Sequence, residues 1–379
     1  MPDLFEPCRW GRVELPNRIA MAPMTRLRCE SQVADELLAE YYVQRADAGL
    51  IITEGTFISP AARGFAAVPG IWKKPQAEGW SIVVDAVHRA GGRIVAQLWH
   101  VGRLSHPLLQ PGREAPMGPS AIPAKAGRCF VFDQTGEGRF TEPASEVRPM
   151  TADDIETVIG EFAHAATLAM TAGFDGVEIH AANGYLLEQF LNPGVNVRDD
   201  EWGGPEIADR IRFPLAVVDA VITAVAAQGG GARQVGIRLS PYGTAGDMPQ
   251  HSEVEATILH LAEELQNRRV GYVHFADQST TSKTREIPPI PGDLLRRFRE
   301  LYDGLVIVTG GQDRDSAQRL LDAGLADVIG FGRPFIANPD LVRRLRDGLP
   351  LAQPRADLIY AQGPEGYTDY PEYPGRAAE

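Results

Sequence analysis

The stretch Gly176–Leu191, GVEIHAANGYLLEQFL, decides how the chain is read. GVEIH is a short apolar run of the kind that forms a buried strand. It ends in His180, with Asn183 three residues on and Tyr185 two beyond that. Three hydrogen-bonding side chains crowded at one strand end point to a site. Runs of the same kind recur along the chain: RIAMAP (18–23), LIITEG (50–55), RIVAQLW (93–99), QVGIRLS (234–240), GYVHFAD (271–277), LVIVTGG (305–311) and ADVIGFG (326–332). With DGVEIH (175–180) they make eight candidate strands, each followed by a helical pattern. Near-continuous apolar runs bounded by glycine are the mark of parallel strands covered on both faces.

The intervening segments carry helix signals. Ile155, Val158, Ile159, Phe162, Ala166 and Ala169 form one stripe, and Thr151 with Asp154 caps its start. SEVE (252–255) predicts a capping box ahead of Val254, Ile258, Leu261 and Leu265. NPDL (338–341) predicts Asn338 as N-cap with Pro339 in the first helical position. Pro214 predicts the start or a bend of the helix bearing Leu215, Val218, Ile222 and Val225. Eight β/α units in series predict an α/β fold, a single (β/α)8 TIM barrel over residues 1–379. The Pro-, Gly- and Ala-rich region at about 104–149 breaks the alternation. It predicts a long excursion after strand three, with a hairpin around RCFVFDQTGEGRFTE (128–142), hanging over the barrel mouth.

Composition narrows the function. The 379 residues are 44% hydrophobic with a formal net charge of −13. A field of that sign repels phosphate backbones and anionic lipid, so neither nucleic acid nor a membrane surface is expected as a partner. No run reaches the roughly 20 apolar residues of a membrane span, and the N-terminal sequence does not read as a signal peptide. The three cysteines, Cys8, Cys29 and Cys129, are far apart and fit neither a disulfide framework nor a metal spacing. A cytoplasmic protein is expected, acting as a monomer or homodimer.

Strand parity then places the polar residues. His180 shares a face with Glu178 and stands at the mouth; Gln97 and Arg238 occupy the ends of strands three and five. Thr25 and Arg26 follow strand one. Gly310 and Gly311 end strand seven, and Gly332 with Arg333 ends strand eight, where bare backbone N–H groups and a cation suit a phosphate. Taken singly, each has a plain structural explanation: Arg238 as partner of a buried carboxylate, the glycines as a tight turn, Trp99 and Phe65 as packing. Asp199, Asp200 and Glu201 read as a solvated or helix-capping loop. Metal chemistry fits poorly, since His180 and Asn183 lack a third ligand. Neither GxSxG, nor a Walker A loop, nor GxGxxG after a strand is present, so a nicotinamide would have to use the mouth itself.

APMTRLR (22–28), LIITEGTFIS (50–59), QLWHVGR (97–103), EIHAANGYLLEQFL (178–191), RDDEWGG (198–204), RLSPYG (238–243), GRPFIANPDL (332–341) and GYTDYPEY (366–373) resemble, in order and over nearly the whole chain, the Old Yellow Enzyme family of FMN-dependent ene-reductases. Within it, the motifs resemble the bacterial branch that includes the pentaerythritol tetranitrate and morphinone reductases. The resemblance implies a non-covalent FMN across the mouth of one FMN-binding domain. Thr25 would meet the flavin O4, Gln97 its pyrimidine edge, and Arg238 the N1–O2 side. Ala22, Pro23 and Gly55 would wall the ring, and Arg333 with the backbone around Gly310, Gly311 and Gly332 would hold the phosphate. His180 and Asn183 would polarise the oxygen of an α,β-unsaturated carbonyl, hydride would pass from flavin N5, and Tyr185 would protonate the α-carbon. NAD(P)H would use the same site in ping-pong fashion, and nitro compounds or nitrate esters are further acceptors. Phe65, Trp99, Phe275 and Tyr360 are candidates for steering substrate. Alternatives are a flavin reductase or isomerase on this scaffold, or a non-catalytic flavin redox sensor. The chain departs from the family pattern in FADQSTTSKTREIPPIP (275–291) and in Ala361 and Gln362, both on the expected substrate side.

Overall fold

The structure, a computed structural model, describes residues 2–280 and 286–374. Each of the eight apolar runs forms a strand: β1 Ile19–Met21, β2 Leu50–Phe57, β3 Ile94–Trp99, β4 Gly176–Ala181, β5 Val235–Leu239, β6 Tyr272–Ala276, β7 Leu305–Thr309 and β8 Val328–Phe331. They pair in chain order, all parallel, and β8 pairs with β1 to close a barrel. Most strand residues are buried, the outward ones beneath the helices and the inward ones in the barrel interior, and the β2–β3 register shifts between Ile52 and Gly55. The fold is the expected (β/α)8 barrel.

Eight principal helices cover it: α1 Glu36–Val43, α2 Lys74–Arg89, α3 Ala152–Thr171, α4 Arg212–Ala227, α5 Val254–Asn267, α6 Gly292–Leu301, α7 Arg314–Asp322 and α8 Leu341–Asp347. The start of α3 follows its sequence signal. Thr151 Oγ1 accepts from Asp154 N–H at 3.1 Å, and Thr151 N–H donates to Asp154 Oδ2 at 2.7 Å. Asp154 also takes two bonds from Arg148, which hold its carboxyl below the usual carboxylate range. Thr151→Ala is expected to lower the unfolding free energy by about 1 kcal/mol, seen as a lower urea midpoint at unchanged slope.

Two caps differ from their sequence signals. The N-cap of α5 is Glu253, not Ser252, because Glu253 is drawn to Arg210 at 2.7 Å while Glu255 accepts from the Tyr242 hydroxyl at 2.9 Å. Helix α8 begins after Asp340, not Asn338. Asn338 instead bridges two segments, donating to the Pro334 carbonyl and accepting from Ala352 N–H. Pro214 lies in the first turn of α4, where its missing N–H costs nothing. Between β3 and α3 runs the excursion, with the antiparallel pair Cys129–Phe132 and Gly138–Thr141 where a hairpin is expected. Arg198 and Asp200 form an ion pair in the loop that reads as solvated.

Candidate active site

The C-terminal strand ends open into a cavity of about 900 Å³. Ala22, Pro23, Thr25, Gly55, Phe65, Gln97, Trp99, His180, Asn183, Tyr185, Arg238, Gly310, Gly311, Gly332, Arg333 and Tyr360 all line it. Phe275 does not. It lies on the outward face of β6, fully buried and edge-on to Phe298 of α6 with centroids 4.9 Å apart, so it is a packing residue and cannot steer substrate. Parity decides this: His274, its neighbour, faces inward. Gln362 is also outside the lining, tied to the Leu27 carbonyl at 2.6 Å.

Beneath the mouth lies a buried polar floor. Glu178, with 0% exposure, accepts from Gln97 Nε2 at 2.7 Å and from His274 Nδ1 at 2.9 Å. His274 Nε2 accepts from the Thr309 hydroxyl at 2.7 Å. Burial opposes ionisation of Glu178, yet His274, Arg238 and Gln97 together hold its pKa below the ordinary value. Burial, opposed by the Glu178 charge and reinforced by Arg238, lowers the His274 pKa below the ordinary value and favours the neutral ring. The result is a carboxylate facing a neutral imidazole and one cation. Gln97 Nε2 gives one of its two N–H groups to Glu178, so its amide oxygen and the second N–H are left to serve the cavity.

Register places Arg238 of β5 beside His180 of β4. His180 is 3% exposed, and burial, followed by the Arg238 charge, pushes its pKa well below 6.5. Ala182 N–H donates to His180 Nδ1 at 3.3 Å, so the neutral ring carries its proton on Nε2. Trp99 is stacked on Phe57 and Phe65, lies 6.0 Å from the His180 ring centroid, and meets Tyr185 edge-on at 4.8 Å. It is a wall that fixes both polar rings. Gly55 serves that wall: a Cβ there would fall 2.3 Å from Trp99, so its missing side chain is required by protein packing.

The turn after β4 explains the His–Asn–Tyr spacing. Asn183 and Gly184 both take left-handed backbone, with φ of 58° and 79°. A Cβ on Gly184 would lie 2.2 Å from the Ala245 carbonyl, so glycine is needed twice over. Asn183 N–H donates to Ser240 Oγ at 2.8 Å, and the Ser240 hydroxyl donates to Glu188 at 2.7 Å. Gly184 N–H donates to the other oxygen of Glu188, whose pKa burial lifts to about 7. Tyr185 follows as N-cap residue of the short helix Leu186–Leu191, and burial raises its phenol pKa above 10.0. Ser240 and Glu188 were not singled out by the sequence; only the S of RLSP, beside Arg238, hinted at the first.

The opposite wall is held by a strap. Arg26 and Arg28, which follow Thr25, reach the carbonyls of Leu358, Ile359, Gly363, Glu365 and Gly366. Both guanidinium groups lie over the Tyr367 ring, at 5.2 and 5.1 Å. Tyr360 on this strap meets Phe140 of the hairpin edge-on, 5.2 Å between centroids.

The cavity fits an FMN by its own residues. Among the described residues Arg238 Nε is buried with no hydrogen-bond partner, a donor waiting for an acceptor. Gln97 presents the complementary acceptor. Among the described residues a Cβ on Gly332 would meet no atom closer than 3.6 Å, so they leave the space beside it open. Arg333 lies at that rim, its guanidinium 3.4 Å from the Thr280 carbonyl. Among the described residues no cluster of His, Cys, Asp and Glu suits a metal, and no helix is long and apolar enough to cross a membrane.

The profile of the NADH:flavin oxidoreductase / NADH oxidase family matches residues 3–352. The chain is 38% identical over 380 residues to 12-oxophytodienoate reductase 7 of Oryza sativa subsp. japonica, covering 97% of this chain and 94% of that protein. It is likewise 38% identical over 374 residues to 12-oxophytodienoate reductase 2 of Arabidopsis thaliana, 97% and 95% of the two chains. Among solved structures, morphinone reductase in complex with tetrahydroNAD superposes with a TM-score of 0.93 at 44% identity, covering 100% of both chains. The Old Yellow Enzyme homologue of Zymomonas mobilis gives 0.89 at 38% identity, covering 98% of this chain and 100% of that one. Family profile, relatives and fold agree with the cavity's chemistry: the chain belongs to the NADH:flavin oxidoreductase / NADH oxidase family, as an NAD(P)H-dependent FMN oxidoreductase of the Old Yellow Enzyme type.

Proposed function

We propose that this oxidoreductase reduces the C=C bond of α,β-unsaturated carbonyl compounds and other activated alkenes, with nitro compounds and nitrate esters as further acceptors. One observation carries the proposal: a neutral imidazole N–H, an amide and an un-ionised phenol face one cavity beside a buried arginine. FMN, when bound, supplies the hydride for the β-carbon. Thr25, Gln97 and Arg238 hold its ring system, Ala22, Pro23 and Gly55 wall it, and Gly310, Gly311, Gly332 and Arg333 receive its phosphate. The residues 1–379 act together as one FMN-binding unit.

His180 and Asn183 donate to the substrate's oxygen. Negative charge grows there as the alkene is reduced, and donors already in place stabilise it more than they stabilise the ground state. Tyr185 keeps its proton until the α-carbon needs one, then delivers it from the phenol oxygen as general acid. NAD(P)H and alkene occupy the same cavity in turn, in a ping-pong cycle. Phe65, Trp99 and Tyr360 shape the substrate's side of it. The relatives named as reductases of 12-oxophytodienoate and of morphinone support an oxo-substituted alkene as substrate.

The test is anaerobic. The yellow holoprotein bleaches with NADH or NADPH and recovers its colour on addition of cyclohexenone; persistent bleaching with enones, maleimides and nitro compounds alike would overturn the proposal. A second expectation concerns pH. His180 gains a proton only well below 6.5 and Tyr185 loses one only above 10.0, so between those values neither titrates. The alkene half-reaction therefore shows no inflection from either group in that window, checked by stopped-flow rates in a series of buffers.

A further inference from the structure

The amide of Asn183 has two ends, and only one of them helps an electron-rich oxygen. Which end faces the cavity is decided by a residue outside the HxxNxY motif. Gln278 lies just after β6, 7% exposed, on the cavity lining beside Asn183. Its Oε1 accepts from two backbone donors, Thr244 N–H and Ala245 N–H, each at 3.1 Å. Backbone N–H groups cannot exchange roles, so they fix which end of the Gln278 amide is oxygen and which is nitrogen. Gln278 Nε2 then donates to Asn183 Oδ1 at 3.0 Å. The chain of donors has one direction: peptide to glutamine oxygen, glutamine nitrogen to asparagine oxygen. The Asn183 NH2 is the end left over.

We propose that Gln278 is a positioning residue that fixes the Asn183 amide with its NH2 toward the substrate, making the site selective for hydrogen-bond acceptors. The inference rests on the assignment of His180 and Asn183 to the substrate's oxygen, and it adds the reason that an amide able to present either end presents the donor. The segment bearing Gln278 is itself anchored. Asp277 accepts from Ser279 N–H at 2.8 Å and from Ile290 N–H at 3.2 Å, joining both sides of residues 281–285, which lie outside the described residues. The departure from the family pattern in 275–291 thus includes a residue that reaches the oxygen-binding pair.

The experiment measures calorimetric binding of acetophenone, a neutral carbonyl with no donor, to the oxidised holoprotein without nicotinamide. Gln278→Glu keeps an oxygen for Thr244 and Ala245 but turns a second oxygen on Asn183, driving its amide to the reverse orientation. Affinity is expected to fall about tenfold, the upper end of what one neutral hydrogen bond contributes. Gln278→Leu loses every hydrogen bond but leaves the Asn183 amide free to take either orientation, so half the population remains competent and affinity falls about twofold. A purely structural role predicts the reverse order, because Gln278→Glu preserves more contacts. In the Asn183→Ala background neither change should matter further. Equal or reversed losses, or losses that add to that of Asn183→Ala, overturn the proposal. If Asn183→Ala alone leaves acetophenone binding unchanged, the assignment of Asn183 to the substrate's oxygen fails, a result distinct from failure of Gln278. Should Gln278→Glu not retain FMN, the Gln278→Leu and Asn183→Ala cycle still decides: a twofold loss absent from the double variant supports positioning, and an additive loss overturns it.

Discussion

Tyr185→Phe is expected to slow alkene reduction by about 10²–10⁴-fold, the range that a positioned general acid contributes, while NAD(P)H bleaches the holoprotein at the unchanged rate. The two half-reactions separate because only one needs a proton at carbon. Phenylalanine keeps the ring that packs edge-on against Trp99 at 4.8 Å and against His180 at 5.0 Å, so the wall and the imidazole stay in place. What is lost is one O–H. Burial keeps that phenol protonated, which is the state an acid must hold before it acts. Rapid mixing of pre-reduced variant with cyclohexenone measures the first rate, and anaerobic mixing of oxidised variant with nicotinamide the second. Equal loss of both would remove Tyr185 from the proton-transfer role and return it to packing.

Arg238→Leu is the second large effect, expected in stability and FMN retention together. The guanidinium is 8% exposed and stands over a floor whose carboxylate, Glu178, is wholly buried. Deleting the cation leaves that negative charge with a neutral imidazole and one amide, a loss of about 3–5 kcal/mol for an uncompensated buried charge. The sign with pH follows. In the native protein the Glu178 pKa is depressed, so its stabilisation is present above the unfolded value and fades as pH falls through the folded one. Without Arg238, only the His274 and Gln97 contacts oppose burial, and the carboxyl's pKa is expected to shift upward. The variant should then be most destabilised in neutral and alkaline buffer and recover toward acid. Urea unfolding across pH checks this, and Glu178→Gln added to Arg238→Leu should restore much of the loss. A pH-independent deficit would mean that Arg238 acts through shape rather than charge.

The barrel and its mouth were legible because their signals are local. Eight apolar runs with glycine at their ends name eight strands, and alternation within GVEIH puts His180 and Glu178 on one face without any tertiary information. The same alternation, applied to GYVHFAD, would have turned Phe275 outward; the ring suggested a substrate contact that its parity forbids. Where sequence signals failed, a long-range partner outcompeted a local one. Ser252 lost its capping role because Arg210, 43 residues from Glu253 in sequence, draws that glutamate instead. Gln278 and Glu188 escaped notice altogether. Neither has a spacing that announces it, since their partners Asn183, Ser240, Thr244 and Ala245 come from other βα loops.

The strap that Arg26 and Arg28 stitch over Tyr367 has a consequence for the order of biosynthesis. The segment bearing Thr25 is made early, yet the carbonyls that hold its neighbours belong to residues 358–366, and β1 has no β8 beside it until residue 331 is made. While the ribosome is still adding the intervening three hundred or so residues, the nascent polypeptide can form helices and neighbouring strand pairs but cannot complete the wall around Thr25. On the proposed placement of Thr25 against the flavin, capture of the prosthetic group is expected to wait until translation has passed the strap.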